Sequence, residues 1–270
     1  MLPVVPEPKA SPSLWSRLSA VGRSGRRITR AGLFTFEIVQ QTRRIPSAPT
    51  QTESIRARVS QLAWFAENMC SLHGIRVDVV GAPRSEPAIY VANHLGYVDP
   101  MAILSVVPCA PIAKEEIGEW PIVGQALREL GVMMVYRHDP YSGARVLRNT
   151  IRTLEQGVSV LAFPEGTTTE GHDVLRLRRG VFGVARRLGV PIVPIVVRHD
   201  TREVCWVGDD DFLPHYVRTT SRPMIGTRLV FGDPIDPGVE PDARELARHT
   251  RAVLRTMLAR ERTQHGRAAA

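Results

Sequence analysis

A histidine and an aspartate stand five positions apart in the stretch Asn93-His94-Leu95-Gly96-Tyr97-Val98-Asp99-Pro100. An imidazole with a carboxylate beside it can take a proton from a hydroxyl, the carboxylate holding the useful tautomer. The apolar run before it, AIYVA (88–92), reads as a buried strand. In a regular helix an offset of five turns through roughly 500°, leaving the two side chains about 140° apart. They meet only if residues 93–98 form a loop, which Gly96 makes easy. A structural reading stands beside the chemical one. In it Asp99 is the N-cap and Pro100 the first residue of a helix over 100–107, and His94 merely follows a strand.

A second stretch, FPEGTTTEG (163–171), closes another apolar run. Gly166 permits a tight turn, the three threonines add hydroxyls, and backbone N–H groups in such a turn can hold an anion. A plain turn capped by threonine is the alternative, but it leaves Glu165 unexplained among so many donors. Lys114 and Arg137 both close apolar strands, and a guanidinium fork suits phosphate. Taken singly, each is an ordinary solvated charge at a strand end.

The elements that must position these residues are legible from periodicity. Apolar runs at 75–80, 88–92, 109–114, 132–137, 158–163, 191–197 and 228–232 read as strands. Helical patterns fall at 100–107, 119–130, 142–156 and 179–188. The alternation predicts an α/β domain: a mostly parallel mixed sheet of about seven strands, flanked by helices. Before it come a Pro- and Ser-rich tail (1–13), an amphipathic Arg-rich helix over 14–44, a linker (45–54) and a helix over 55–72 stopped by Gly74. A basic amphipathic helix over 240–263 follows the domain. The expected division is tail 1–13, basic helices 14–73, α/β domain 74–238, and C-terminal helix and tail 239–270. In an open sheet of this kind, functional residues gather beyond the carboxyl ends of the strands.

The formal net charge is +8. Ten basic and three acidic residues fall within residues 1–60, so most of the excess lies in the first quarter. That balance favours an anionic partner. The three dispersed cysteines match neither a disulfide framework nor a zinc ribbon, and fit a reducing compartment. No signal peptide and no transmembrane run are expected. His172, His199, Asp200, Asp209, Asp210, Asp211 and His215 match no metal-ligand spacing, so no metal is expected. A P-loop nucleotide enzyme is excluded by its missing motif. A nucleic-acid-binding role has charge in its favour, but no RNP-like strand or helix-turn-helix.

Together the stretches resemble the PlsC-like glycerolipid acyltransferase family over roughly residues 60–235. NHLGYVDP is similar to its N-H-x-x-x-x-D block, and FPEGTTT to its F-P-E-G-T block. Lys114, Pro121, Gly124, Gly131 and Arg137 fall where its second block lies, and VPIVPIVV (190–197) looks like its fourth. The resemblance implies an O-acyltransferase with no cofactor, which uses acyl-CoA or acyl carrier protein as donor. The acceptor is the free hydroxyl of a lysophospholipid, foremost 1-acylglycerol 3-phosphate giving phosphatidate. His94 would be the general base and Asp99 its orienter, with backbone amides of 94–97 serving the oxyanion. Arg137, Glu165, Gly166 and Thr167, with Lys114, would hold the acceptor's head group, Glu165 by orienting Arg137 or the hydroxyl, and Asn93 would brace the loop. No acyl-enzyme is needed, and no G-x-S-x-G elbow is present. The stretches 113–124 and 205–216 are also similar to lyso-ornithine-lipid acyltransferases, which gives a second acceptor. The Arg-rich helices would meet an anionic membrane at the cytoplasmic face of the cell membrane.

Overall fold

The computed structural model describes residues 14–44, 50–118, 123–136, 139, 141–208 and 210–268. The expected tail 1–13, residues 45–49 of the expected linker, Pro121, Arg137 and Asp209 lie outside the described residues.

Two helices lead the chain, α1 (Leu14–Arg44) and α2 (Gln51–His73). The second begins inside the stretch expected as linker. Thr50 accepts from the Glu53 amide and the Glu53 carboxylate accepts from the Thr50 amide, a reciprocal cap that satisfies two first-turn donors. It ends where expected, at Gly74, whose φ of 70° is costly for any residue with a Cβ.

Seven strands follow: β1 (Ile75–Val80), β2 (Ile89–Ala92), β3 (Ala110–Lys114), β4 (Met133–Val135), β5 (Val160–Ala162), β6 (Ile192–His199) and β7 (Ile225–Phe231). They form one sheet in the order β1-β7-β6-β2-β5-β3-β4, parallel throughout except for the β6–β7 pair. This is the mixed, mostly parallel sheet expected from the alternating pattern. Between and after the strands lie α3 (Val98–Leu104), α4 (Glu115–Gly118), α5 (Val123–Glu129), α6 (Ser142–Glu155), α7 (Gly180–Leu188), α8 (Phe212–Thr220) and α9 (Ala243–Ala268). Of the helix expected over 119–130, the described part is α5, residues 119–122 lying outside the description, and α4 precedes the expected span.

Strand alternation divides the core between the two faces of the sheet. Tyr90, Ala92, Val193, Ile195, Val197, Leu229 and Phe231 face one cluster, shared with Ile38 of α1, Leu62, Phe65 and Met69 of α2, and Ala102 and Ile103 of α3. Ile89, Val91, Val160, Ala162, Ile192 and Val196 face the other, shared with Val146 of α6, Phe182 of α7 and Leu246 and Leu254 of α9. β2 is buried along its whole length in the middle of the sheet. Whatever follows Ala92 is therefore held by strands on both sides.

Two of the N-terminal arginines are internal struts. Arg27 donates to the carbonyls of Thr220, Arg222 and Pro223, and Arg23 to that of Ser221. These carbonyls lie at the C-terminal end of α8, where cations are favourable. The last residue of α2, His73, also packs against α8. Its Nδ1 lies 2.8 Å from the Met69 carbonyl and its Nε2 2.6 Å from the Tyr216 hydroxyl. A carbonyl only accepts, so Nδ1 carries the hydrogen and the tyrosine donates to Nε2. Burial pushes the His73 pKa down to about 4. A buried neutral histidine stabilises the fold fully above its unfolded value of about 6.5, and the contribution is lost as pH falls toward the folded value. The difference corresponds to roughly 3 kcal/mol. Denaturant midpoints measured across that window should therefore fall more steeply for the wild-type protein than for His73→Gln; parallel curves would disprove the assignment.

Candidate active site

Asn93 continues β2 with its side chain. Its Nδ2 donates to the Val197 carbonyl at 3.1 Å and its Oδ1 accepts from the Val197 amide at 2.8 Å, replacing the ladder bonds a further strand residue would make to β6. The main chain is free to turn away, and His94 emerges at the carboxyl edge of the sheet. The loop is gripped from two sides. Thr169 N–H donates to the His94 carbonyl and Trp206 N–H to the Leu95 carbonyl, both at 2.8 Å. Gly96 passes so close to residues 204–206 that a Cβ would stand 3.3 Å from the Trp206 amide nitrogen and from the Val204 carbonyl oxygen. The His94 ring lies on that of Phe163, with centroids 4.2 Å apart and planes 25° from parallel.

His94 Nδ1 is 2.8 Å from Asp99 Oδ2. The His94 side chain is 18% exposed and that of Asp99 is 0% exposed. Asp99 is not the N-cap of α3. Tyr97 holds that position without a side-chain cap bond, and Asp99 lies inside the first turn with its carboxylate folded back over the loop. Oδ2 also accepts from Leu95 N–H at 2.5 Å and Gly96 N–H at 2.9 Å, and Oδ1 takes His199 Nε2 at 2.8 Å. Burial alone would raise this carboxyl's pKa; the hydrogen bonds from His199 and His94 outweigh it and hold the group well below the usual carboxylate range. An ionised carboxylate only accepts, so His94 Nδ1 carries the hydrogen and Nε2 keeps its lone pair. Nε2 has no hydrogen-bond partner among the described residues. The arrangement is that of an imidazole oriented by a carboxylate.

Glu165 is 6% exposed, its Oε1 accepts from His94 N–H at 3.0 Å, and its Oε2 accepts from Leu175 N–H at 2.9 Å. It ties the loop after β2 to the chain after β5. Burial raises its pKa, opposed by those two amides. Three of the four amides expected near an oxyanion, those over 94–97, already have acceptors. The N–H groups of His94, Leu95 and Gly96 are committed to Glu165 and Asp99.

Gly166 has φ 72°, and a Cβ there would stand 2.6 Å from Arg178 Nε. The guanidinium of Arg178 thus covers the turn, and Thr167 beside it is exposed. Lys114 ends β3, half-buried. It lies on the same sheet edge as His94 but two strands across, roughly 10 Å by strand spacing. The structure therefore gathers Asn93, His94, Asp99, Glu165 and Gly166 closely, with Lys114 at the margin.

Sequence reasoning missed two residues. Arg178 could have been suspected from the basic run 176–179 after the turn. His199 is the last residue of an apolar strand, and no spacing signals it. The other histidines once weighed as metal ligands are engaged elsewhere: His172 with Glu170, and His215 with the Tyr97 hydroxyl and the Cys205 carbonyl. Among the described residues no group of three or more His, Cys, Asp or Glu is placed to hold a metal ion.

The sequence profile of the Acyltransferase family matches residues 76–198, a span that holds the His94–Asp99 pair and the Glu165–Gly166 turn. Over that span the chain is similar to the acyltransferase family. The chain is 27% identical over 251 residues to a lyso-ornithine lipid O-acyltransferase of Pseudomonas aeruginosa, a match covering 90% of this chain and 95% of that protein. It is 39% identical over 132 residues to human 1-acyl-sn-glycerol-3-phosphate acyltransferase alpha, covering 47% of each. Its fold is similar to that of the 1-acyl-sn-glycerophosphate acyltransferase PlsC from Thermotoga maritima, with a TM-score of 0.69, 22% identity, and 92% and 98% of the two chains covered. The profile leaves out α1, α2, α8 and α9. Of these, α8 reaches the His94–Asp99 loop: Phe212, His215 and Tyr216 pack edge-on against the Tyr97 ring.

Proposed function

We propose that the enzyme transfers a fatty acyl group from a thioester, acyl-CoA or acyl carrier protein, to the free hydroxyl of a lysolipid, foremost 1-acylglycerol 3-phosphate to give phosphatidate. The observation that carries the reading is the 2.8 Å contact between His94 Nδ1 and a buried, ionised Asp99, which leaves Nε2 as base. Nε2 takes the proton of the lipid hydroxyl as its oxygen attacks the thioester carbonyl carbon. The tetrahedral intermediate then collapses with cleavage of the C–S bond, and the imidazolium returns the proton to the departing thiolate. The products are an ester and a free thiol, with no acyl-enzyme. Asp99 stabilises the imidazolium through both steps.

A second acceptor, lyso-ornithine lipid, has its own support. The likeness to the P. aeruginosa lyso-ornithine lipid O-acyltransferase extends over 90% of the chain, and α8, outside the family profile, is built into the wall of the site. Incubation with acyl-CoA or acyl carrier protein thioester, and with lysophosphatidate and lyso-ornithine lipid in parallel, separates the readings by the mass of the diacyl product. Product from neither acceptor with either donor would refute the proposal.

Reaching a lipid requires a membrane-facing surface, and α1 supplies one of unexpected chemistry. Trp15, Leu18, Leu33 and Phe36 are more than half exposed. Trp15 and Leu33 are about five turns apart on one line of the helix, and Leu18 and Phe36 on the neighbouring line. An apolar stripe therefore accompanies the exposed Arg17, Arg26 and Arg30. No helix among the described residues is long and apolar enough to cross a membrane. This supports peripheral insertion in the plane of the interface, on the cytoplasmic face, where acyl thioesters are made. Trp15→Ser with Phe36→Ser should lower co-sedimentation with anionic phospholipid vesicles by about tenfold, given the apolar area withdrawn. Unchanged binding by the double variant would leave the stripe without a role.

A further inference from the structure

Asp99 faces two imidazoles, and the reaction above employs one. His199 lies 100 positions along the chain, yet its Nε2 sits 2.8 Å from Asp99 Oδ1 and its side chain is 1% exposed. The placement follows from the sheet. Along β6, Val193, Ile195 and Val197 face the cluster that contains α3, and the period of two puts His199 on that same face. Its neighbour in the antiparallel register of β7 is Thr227, whose Oγ1 lies 3.0 Å from His199 Nδ1. Thr227 is itself 1% exposed.

One hydrogen-bond role is forced: ionised Asp99 accepts only, so His199 Nε2 carries a hydrogen, and the Thr227 hydroxyl, which can donate or accept, partners Nδ1. A β-branched threonine and a histidine at inward positions of two buried strands are poor packing choices, and each is satisfied only through the other and through Asp99. Without His199, Oδ1 would be a buried carboxylate oxygen with no donor. The carboxylate would then be free to turn away from His94 or to take up a proton.

We propose that His199, held by Thr227, is a positioning residue for acyl transfer: it occupies Asp99 Oδ1 and so fixes Oδ2 against His94 Nδ1. The inference rests on the general-base reading of His94. The other titratable groups that act on the pair are Glu165, tied to two amides, and Cys205, whose thiol burial pushes up to about 11 and so keeps neutral.

The test is steady-state kinetics of the full-length chain, with oleoyl-CoA and lysophosphatidate in mixed micelles, across the pH range in which histidine titrates. His199→Phe keeps the ring and removes both nitrogens; His199→Gln restores a donor at the reach of Nε2. We expect His199→Phe to lower kcat roughly 10- to 100-fold with KM little changed. The acid limb of its kcat profile should move to lower pH, because an Asp99 turned away from His94, or protonated, no longer stabilises the imidazolium. His199→Gln should recover kcat to within about threefold of wild type. His94→Ala combined with His199→Phe should be no slower than His94→Ala alone. A wild-type kcat and pH profile in His199→Phe, with His94→Ala inactive, would overturn the positioning role and leave the base intact. Turnover by His94→Ala would overturn the base reading, and this inference with it. Should His199→Phe fail to fold, Thr227→Val, which is close in shape, decides: a several-fold lower kcat with the same displacement of the acid limb is expected, and an unchanged profile would overturn the proposal.

Discussion

Replacing His94 by alanine lowers kcat by about 10²- to 10⁴-fold, the range of a lost general base, while the unfolding midpoint moves little. The stability side follows from the geometry. His94 is partly exposed, and after its removal Asp99 Oδ2 still accepts from the Leu95 and Gly96 amides while Oδ1 keeps His199. One of four donors is lost, with a ring stacked on Phe163, for a cost of about 1–2 kcal/mol. KM for the acceptor should stay within a fewfold of wild type, because the Gly166 turn and the neighbouring cations are untouched. Rates with lysophosphatidate and a circular-dichroism melt check both halves; a folded His94→Ala enzyme with near-wild-type kcat excludes His94 as the base.

Asp99→Asn and Asp99→Ala should both lose about 10³-fold or more in kcat, yet they should separate sharply in stability. Oδ2 faces two backbone N–H groups that cannot change polarity, whereas Oδ1 faces His199, which can. An asparagine therefore settles with its oxygen toward Leu95, Gly96 and His94 and its NH₂ toward His199, whose ring shifts its hydrogen to Nδ1 and donates to Thr227. Every partner is kept and only the charge is lost. The imidazolium formed on proton transfer then lacks its counter-ion, which is where the rate goes. Alanine instead strands four donors, three of them buried, and a loss of about 3–5 kcal/mol is expected, against less than about 2 for asparagine. The pH dependence distinguishes the two states of the wild-type residue. Its folded pKa is depressed, so the carboxylate's contribution is complete above the unfolded value of about 3.9 and disappears as pH falls toward the folded one. Asp99→Asn has no such component to lose. Equal stability of the two variants by denaturant titration would mean that the four-donor cradle does not hold Asp99 in solution.

Much of the sheet could be read from apolar runs because its strands are buried on both faces, and buried strands leave short uninterrupted runs between Gly and Pro. β7 shows where that rule weakens. It was expected from 228 and begins at Ile225, since Gly226 and the inward Thr227 break the apolar texture. The threonine is there for His199, a reason invisible along the chain. α8 was missed because Pro214 and the acidic run before it read as a turn. Proline is harmless in a first helical turn, where N–H groups have no intrahelical acceptor anyway. The start of α2 was placed late for the opposite reason: Thr50 and Glu53 look like loop residues and are a reciprocal cap.

The sequence by itself determined an α/β domain with His94 and Asp99 on one short stretch after a buried strand, because strand burial and five-residue spacing are local properties, while the acyl-transfer chemistry came from its resemblance to a family. Only the tertiary structure decided that Asp99 orients His94 in place of capping α3, that Glu165 braces two loops, that the amides of His94, Leu95 and Gly96 are already committed, and that His199 is the carboxylate's second partner. Those outcomes depend on which strands lie side by side. Strand order is set by the packing of the whole core, so residues 100 positions apart can share a carboxylate with no local signal to announce it.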